Sequence, residues 1–257
     1  MKCIILAAGI STRMQSVGGG LPKCLIPVGG KPILQRTLDN VLSAGIREIG
    51  IVIGYRSGDV RSFVKKQFPS SRIQFMVNPK FDSTNNAFSL LMARDFYKKE
   101  ENERKPLVPL LLLDSDIVFS ARLLEHMLKQ KASDCLAVRV KGQHDEEEIR
   151  VKVDASGFIV HIGKDVPLNE SYGESIGIEI FAPKTAASLF DVIEKRVRKG
   201  MGRKEFYEAS FQEMIDAGVK LSAIDVSNFP SAEIDTPEDL QEVERSLTPL
   251  LDSTKTG

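Results

Sequence analysis

KCIILAAGISTRM, residues 2–14, opens as an unbroken apolar run and closes as a glycine turn carrying one arginine. A continuous apolar run is expected of a strand buried on both faces, as in a parallel sheet covered by helices. The pattern recurs outward from it: EIGIVIGY (48–55), RIQFMV (72–77) and PLVPLLLLDSD (106–116) read as three further strands. Between them, apolar residues fall at helical spacing from Pro32 to Leu42, closed by Gly45, and again over 57–68 and 85–97. This alternation predicts an α/β fold: a mixed, mostly parallel central sheet with flanking helices. Ligands of such sheets bind beyond the carboxyl ends of the strands. AAGISTR (7–13), GYRSG (54–58) and DSD (114–116) all fall there.

The second half is organised differently. CLAVRV (135–140), IRVKVD (149–154) and FIVHIGK (158–164) read as short strands, with a hairpin turn at Asp154–Gly157 between the last two. GESIGIEIFA (173–182) and VKLSAIDV (219–226) are further strands, with helices expected from Pro183 and over 205–217. A final helix starts at Thr236 as N-cap with Pro237 at its first position. Residues 119–247 thus read as a continuation of the sheet with a small lid of β-strands, giving one domain over 1–247. The tail, 248–257, is expected to be flexible.

With 35 basic and 35 acidic residues the net charge is zero, which argues against a nucleic-acid or acidic-membrane partner. The start MKCIILAAG leaves too little length for a signal h-region or a span. Cys3, Cys24 and Cys135 have no metal-ligand spacing and read as buried small hydrophobes. Together these point to a cytoplasmic location.

As bare chemistry, the opening turn fits neither a dinucleotide fingerprint, which needs G-x-G-x-x-G, nor a P-loop. Its small residues Ala7, Ala8 and Gly9 would let backbone N–H groups approach a phosphate, with Arg13 and Lys23 (in GGGLPK, 18–23) adding charge. A triphosphate site and a tight turn with two solvated cations both remain open on that pattern. Asp114 and Asp116, ending the fourth strand, supply carboxylates at the same sheet edge, and Asp235 ends the extended run before the last helix. Carboxylates beside a phosphate loop suit Mg²⁺.

LAAGISTRM, LPKCLIPVGGKPIL, NPKFDSTNNAFSLLMAR, LLLDSDIVF, VKVDASGFIVHIGKDVP, GESIGIEIF and AEIDTPEDL run in order from residue 2 to about 245. Together they resemble the nucleotidyltransferases that join a nucleoside triphosphate to a small phosphorylated acceptor, in the phosphocholine cytidylyltransferase-like branch. The resemblance implies a Rossmann-like, GT-A-like fold, with a nucleotide-binding half (1–118) and an acceptor-binding half (119–247). It implies CTP as donor and Mg²⁺ as cofactor. It places the nucleotide on Leu6, Ala7, Ala8, Gly9, Gly54, Asn85 and Asn86, the triphosphate on Arg13 and Lys23, and the metal on Asp116 and Asp235. Lys164 would meet the acceptor phosphate, with Tyr172 and Glu174 beside it.

The implied reaction suits the residues present. A phosphate monoester has a second pKa near ~6, so it is already a nucleophilic dianion at neutral pH and needs no Ser, His or Cys base. His126, His144 and His161 are scattered and read as surface or core. A quaternary ammonium normally calls for an aromatic cage. This chain has no Trp and four Tyr, and the ring candidates are Tyr172, Phe206, Tyr207, Phe211 and Phe229. The acidic run HDEEE (144–148) reads as a solvated loop or as a partner for the acceptor's cation. Phosphocholine, phosphoethanolamine, 2-aminoethylphosphonate, sugar-1-phosphate, inositol-phosphate and molybdopterin-type acceptors all stay open, as does a catalytically silent nucleotide-binding regulator. The oligomeric state, a homo-oligomer included, is not set by these features. A dinucleotide-dependent oxidoreductase fails on the glycine pattern.

Overall fold

A computed structural model describes residues 1–10, 12–14, 19–99, 106–140 and 148–252. The strands are β1 (Lys2–Ala7), β2 (Pro27–Val28), β3 (Lys31–Pro32), β4 (Glu48–Ile53), β5 (Ile73–Val77), β6 (Leu110–Asp114) and β7 (Ile117–Phe119). They are followed by β8 (Cys135–Arg139), β9 (Arg150–Val153), β10 (Ile159–Gly163), β11 (Gly173–Phe181), β12 (Ser222–Asp225) and β13 (Ser231–Glu233).

The first half builds a parallel core in the order β6-β1-β4-β5. The period-two alternation of β1 explains its unbroken apolar sequence. Cys3, Ile5 and Ala7 enter one hydrophobic layer, while Ile4 and Leu6 enter the other. The first layer is completed by Leu34, Leu38 and Val41 of the helix Ile33–Ser43, with Val60 and Val64 of Ser57–Gln67. The opposite layer holds Leu90, Tyr97, Leu189, Phe190, Tyr207 and Phe211 from helices of both halves. Each such side chain, fully buried, contributes about 1.5–3 kcal/mol by removing apolar surface from water. Cys3, Cys24 and Cys135 are all buried, as their apolar surroundings predict. No helix among the described residues is long and apolar enough to cross a membrane.

The helix expected over 85–97 is two short pieces, Asn86–Leu91 and Arg94–Tyr97. The second is anchored from below by the buried Lys2, whose Nζ donates to the carbonyls of Phe96 (2.6 Å) and Tyr97 (3.2 Å). A cation at the carbonyl end of a helix turn satisfies groups that have no partner within the helix.

The second half joins the sheet antiparallel through β11 beside β6, with β9 and β10 extending its edge and β8 and β12 branching from β11. Inside β11, Gly177 has φ +68° where the pairing with β8 shifts register. A Cβ there would stand 2.7 Å from Asp114 Oδ2 and 2.9 Å from Ile117 Cδ1. Glycine therefore permits both the left-handed turn and the close approach to the end of β6.

The chain's end departs from the flexible tail expected from 248 onward. Residues Thr248–Asp252 form a helical turn continuing from Pro237–Glu242 through a π-type turn over Val243–Leu247. The reason is burial. Leu240, Val243 and Leu251 pack onto Met14, Ile26, Val28 and Ile33, forming a third apolar cluster beneath the opening loop. Residues 253–257 of that tail lie outside the described residues.

Gly177→Ala is expected to destabilise the protein by about 1–3 kcal/mol, from a strained φ together with the contact on Asp114. Urea unfolding of the variant checks this; an unchanged midpoint would contradict it.

Candidate active site

The carboxyl ends of β1 and β6 open into a cleft of about 800 Å³. Leu6, Ala7, Ala8, Gly9, Arg13 and Lys23 line the cleft, with Asn85, Asn86, Asp114 and Asp116. Arg139, Glu148, Lys164, Glu174, Phe206, Glu208, Glu233 and Asp235 come from the second half. A Cβ on Gly9 would meet nothing within 4 Å, so its backbone lies open.

Three distant segments meet around one ammonium. Lys23 follows Pro22 and is fixed by the buried Cys24 and Leu25 in the turn Lys23–Leu25. Its Nζ donates to Asp116 Oδ2 at 2.8 Å and to Asp235 Oδ1. Arg13 reaches the same acid, with Nη2 2.7 Å from Asp235 Oδ2. Burial alone would lower the Lys23 pKa, but Asp116 and Asp235 outweigh it and hold the ammonium above its ordinary value. Burial likewise works to raise Asp235, and Lys23 and Arg13 outweigh it and hold this carboxyl below its ordinary value.

The acids are aligned by backbone pairing. β13 runs antiparallel to β7, with Glu233 opposite Ile117, and Ile234 N–H donates to the Asp116 carbonyl at 3.0 Å. Asp239 then accepts from the N–H groups of Asp235 (2.9 Å) and Thr236 (2.7 Å), while Asp239 N–H donates to Thr236 Oγ1. This reciprocal cap fixes where the carboxylate of Asp235 sits as the last helix begins.

As a result, ligand oxygens of Asp116, Glu233 and Asp235 lie within 4.8 Å of one another. Convergent carboxylates of this number suit a hard divalent cation that keeps water or phosphate oxygens in its remaining positions. The sequence reading selected Asp116 and Asp235 and missed Glu233. The signal was there: in the extended run EID, positions 233 and 235 share a face.

Other selected residues take more varied places. Asn85 caps the helix Asn86–Leu91 through its Oδ1, and Asn86 Oδ1 accepts from Tyr207 N–H at 2.8 Å. Both line the cleft, yet both side-chain oxygens have structural partners. Gly54 stands behind the opening loop: a Cβ would lie 2.6 Å from the Ala8 carbonyl and 2.5 Å from Phe81. It supports the loop without lining the cleft. Tyr172 also lies off the cleft lining, its N–H paired with the Val151 carbonyl. Glu174 does line the cleft, and Arg139, which the sequence reading missed, pairs with it at 2.8 Å. Lys164 sits with its Nζ 5.4 Å from the centre of the Phe206 ring. Its loop is held by the buried Arg150, which donates to the carbonyls of Lys164 and Val166.

Of the other ring candidates, Tyr207 and Phe211 are core residues, and Phe229 packs on His126. His161 pairs with Asp165, outside the cleft lining. His144 and residues 144–147 of the acidic run lie outside the described residues, while Glu148 lines the cleft.

Beneath the cleft Asp114 is joined by two acids that the sequence reading missed, Glu179 and Glu208. Tyr207 Oη donates to Asp114 Oδ2 (2.8 Å) and to Glu179 Oε1 (3.4 Å). Enclosure, then the charges of Asp116 and Glu208, push Asp114 well above the carboxylate range; burial, then Asp114 and Glu208, do the same for Glu179. Glu208 opens the helix Glu208–Asp216, and burial pushes its carboxyl up to about 7 despite Lys164.

A model of the MobA-like NTP transferase domain matches residues 3–209. The chain belongs to that family. Its fold is that of the solved nucleotidyltransferases on which it superposes. The chain is 24% identical over 259 residues to the CMP-5'-(3-aminopropyl)phosphonate synthase of Streptomyces rubellomurinus, covering 97% of this chain and 39% of that protein. It therefore spans well under half of that relative. It is 25% identical to the 2-aminoethylphosphonate cytidylyltransferase of Lancefieldella rimae, covering 98% of this chain and 95% of that one. The solved CTP:phosphocholine cytidylyltransferase of Streptococcus pneumoniae superposes with a TM-score of 0.73 at 19% identity, over 95% of this chain and 97% of that one.

The raised Glu208 makes the stability of the folded chain depend on pH. Between its ordinary value of 4.5 and about 7, the folded chain keeps a proton that the unfolded chain releases, so stability falls as pH rises through that window. Glu208→Gln is expected to be more stable than the parent by about 3 kcal/mol at pH 8, with the gain vanishing near pH 4. Urea unfolding at both pH values measures it; a gain equal at both would contradict the assignment.

Proposed function

We propose that this nucleotidyltransferase uses CTP and a divalent cation to activate a small phosphorylated or phosphonate acceptor, releasing pyrophosphate. The single observation that carries the reading is the meeting of Arg13, Lys23, Asp116, Glu233 and Asp235 at the strand ends beside an open glycine backbone. The cytidylyl-transferring relatives support the choice of CTP.

The acceptor oxygen attacks the α-phosphorus of the nucleotide in line with the leaving pyrophosphate: the new P–O bond forms as the bond to the β-phosphate oxygen breaks. Leu6 to Gly9 hold the nucleotide against the end of β1. Arg13 and Lys23 draw charge from the triphosphate and stabilise the pyrophosphate as it departs, the dominant need when two polyanions react. Lys23 turns from its acids to the phosphates when nucleotide binds. Lys164 holds the acceptor's anionic oxygens, keeping the nucleophile near the α-phosphorus. Asp116, Glu233 and Asp235 would hold Mg²⁺. Bound there, the ion would neutralise phosphate charge.

Pyrophosphate release should appear when CTP is paired with phosphoethanolamine, 2-aminoethylphosphonate, phosphocholine or inositol phosphate in Mg²⁺, and vanish on chelation. Release from none of these with any of CTP, UTP, GTP or ATP would favour a silent nucleotide-binding regulator. Asp116→Ala is expected to lower kcat at least about 100-fold while the circular dichroism stays unchanged. Lys164→Ala should raise the acceptor KM about tenfold or more and leave the nucleotide KM near its parent value. The reverse pattern would move Lys164 to the nucleotide side.

A further inference from the structure

Glu208 is an anomaly in the acceptor half. The residue is only 7% exposed, yet it lines the cleft, and its Oε2 is buried with no hydrogen-bond partner. A buried carboxylate oxygen left without a donor is costly, and proteins normally satisfy such groups. Its backbone is also firmly placed. Asn86 Oδ1 accepts from the N–H of Tyr207, the preceding residue, and Tyr207 Oη ties the floor to Asp114 and Glu179. The backbone that carries Glu208 is thus fixed at the wall of the cleft, and its Oε2 there is without a donor.

From this we propose that Glu208 is the specificity residue for the acceptor's far end, and that the acceptor carries a primary ammonium there. The inference rests on the transferase reading given above and deepens it. Lys164 and Glu208 act on each other electrostatically across one cleft wall. A short zwitterion, anionic at phosphorus and cationic at nitrogen, matches that pair of opposite charges. An N–H donor would satisfy Oε2 with a charge-assisted bond.

Two other ligand chemistries fit less well. A second metal would need several converging ligand atoms, and among the described residues only Asp116, Glu233 and Asp235 bring three together. A trimethylated ammonium has no N–H to give, and would need aromatic walls. The aromatic residues lining the cleft, among those described, are Phe81 and Phe206. Phe81 is packed beneath the loop against Gly54, which leaves a single ring near Lys164 rather than a cage.

The test compares the parent and Glu208→Gln with CTP and Mg²⁺ on three acceptors: 2-aminoethylphosphonate, phosphocholine, and propylphosphonate, the isostere with a methyl group in place of the ammonium. The parent is expected to favour 2-aminoethylphosphonate over propylphosphonate by about 30-fold in kcat/KM, the worth of one charged hydrogen bond. Glu208→Gln should shrink that preference below about threefold through the acceptor KM, with the CTP KM within about twofold. Glu208→Asp should recover part of it. A preference unchanged in Glu208→Gln, or a parent that favours phosphocholine or propylphosphonate, overturns the proposal. If no acceptor releases pyrophosphate, the transferase reading falls by itself. Calorimetric binding of 2-aminoethylphosphonate then decides the ammonium site: loss of binding in Glu208→Gln supports it, and equal or absent binding in the parent overturns it.

Discussion

The ammonium of Lys23 between Asp116 and Asp235 is the contact on which the rest of the site depends. It closes a junction of three segments, residues 23, 116 and 235, that would otherwise bring two carboxylates together with only the exposed Arg13 to balance them. The partners are only partly exposed, so the attraction is not screened as it would be on an open surface. Every neighbouring feature serves that junction. β1 and β6 set the two strand ends side by side, β7 and β13 bring in Glu233 and Asp235, and the cap from Asp239 locks the turn. The last helical turns press an apolar cluster under the opening loop from behind.

The cleft's two halves are built on opposite charge logic. On the nucleotide side, cations and acids are interleaved at short range, and the shifts of Lys23 and Asp235 both favour the charged forms. Lys23 and Asp235 are thus charged and ready to exchange partners when polyphosphate arrives, while Glu233 beside them is pushed up to about 8 by burial and then by Asp116 and Asp235. On the acceptor side, Asp114, Glu179 and Glu208 are crowded around Tyr207 and pushed toward their neutral forms. There the protein holds unfavourable electrostatics that only a cationic ligand or a proton relieves. A site of this kind discriminates by what it would leave unsatisfied as much as by what it attracts.

Much of the parallel half was legible in the sequence because each strand obeys one simple rule. β1, β4 and β6 are apolar without interruption since both faces are covered, and their polar ends mark the cleft. Arg13, Lys23, Asp116 and Asp235 stood out for the same reason: charge at a strand terminus is visible in one dimension. What the sequence hid was pairing across the fold. Glu233 depends on a three-residue ladder with β7, and Arg139 matters because it faces Glu174 from the next strand. Tyr172 and Gly54 were placed in the site by the resemblance, but Tyr172 lies off the cleft lining and Gly54 sits behind the loop against the Ala8 carbonyl. Glu208 sits in an ordinary amphipathic helix, and nothing in its spacing announces an orphaned oxygen. The helical end at 248–252 was hidden because its apolar partners lie more than 200 residues earlier in the chain.

The central claim is that Lys23, seated between the acids, is the group that receives the triphosphate. Calorimetric titration of CTP in Mg²⁺ into the parent and into Lys23→Gln tests it most directly, with circular dichroism confirming the fold of both. The account predicts saturable binding in the parent and an affinity weakened by about 30-fold or more in the variant, the loss of a partly buried charge contact. Binding by Lys23→Gln within about twofold of the parent would contradict it.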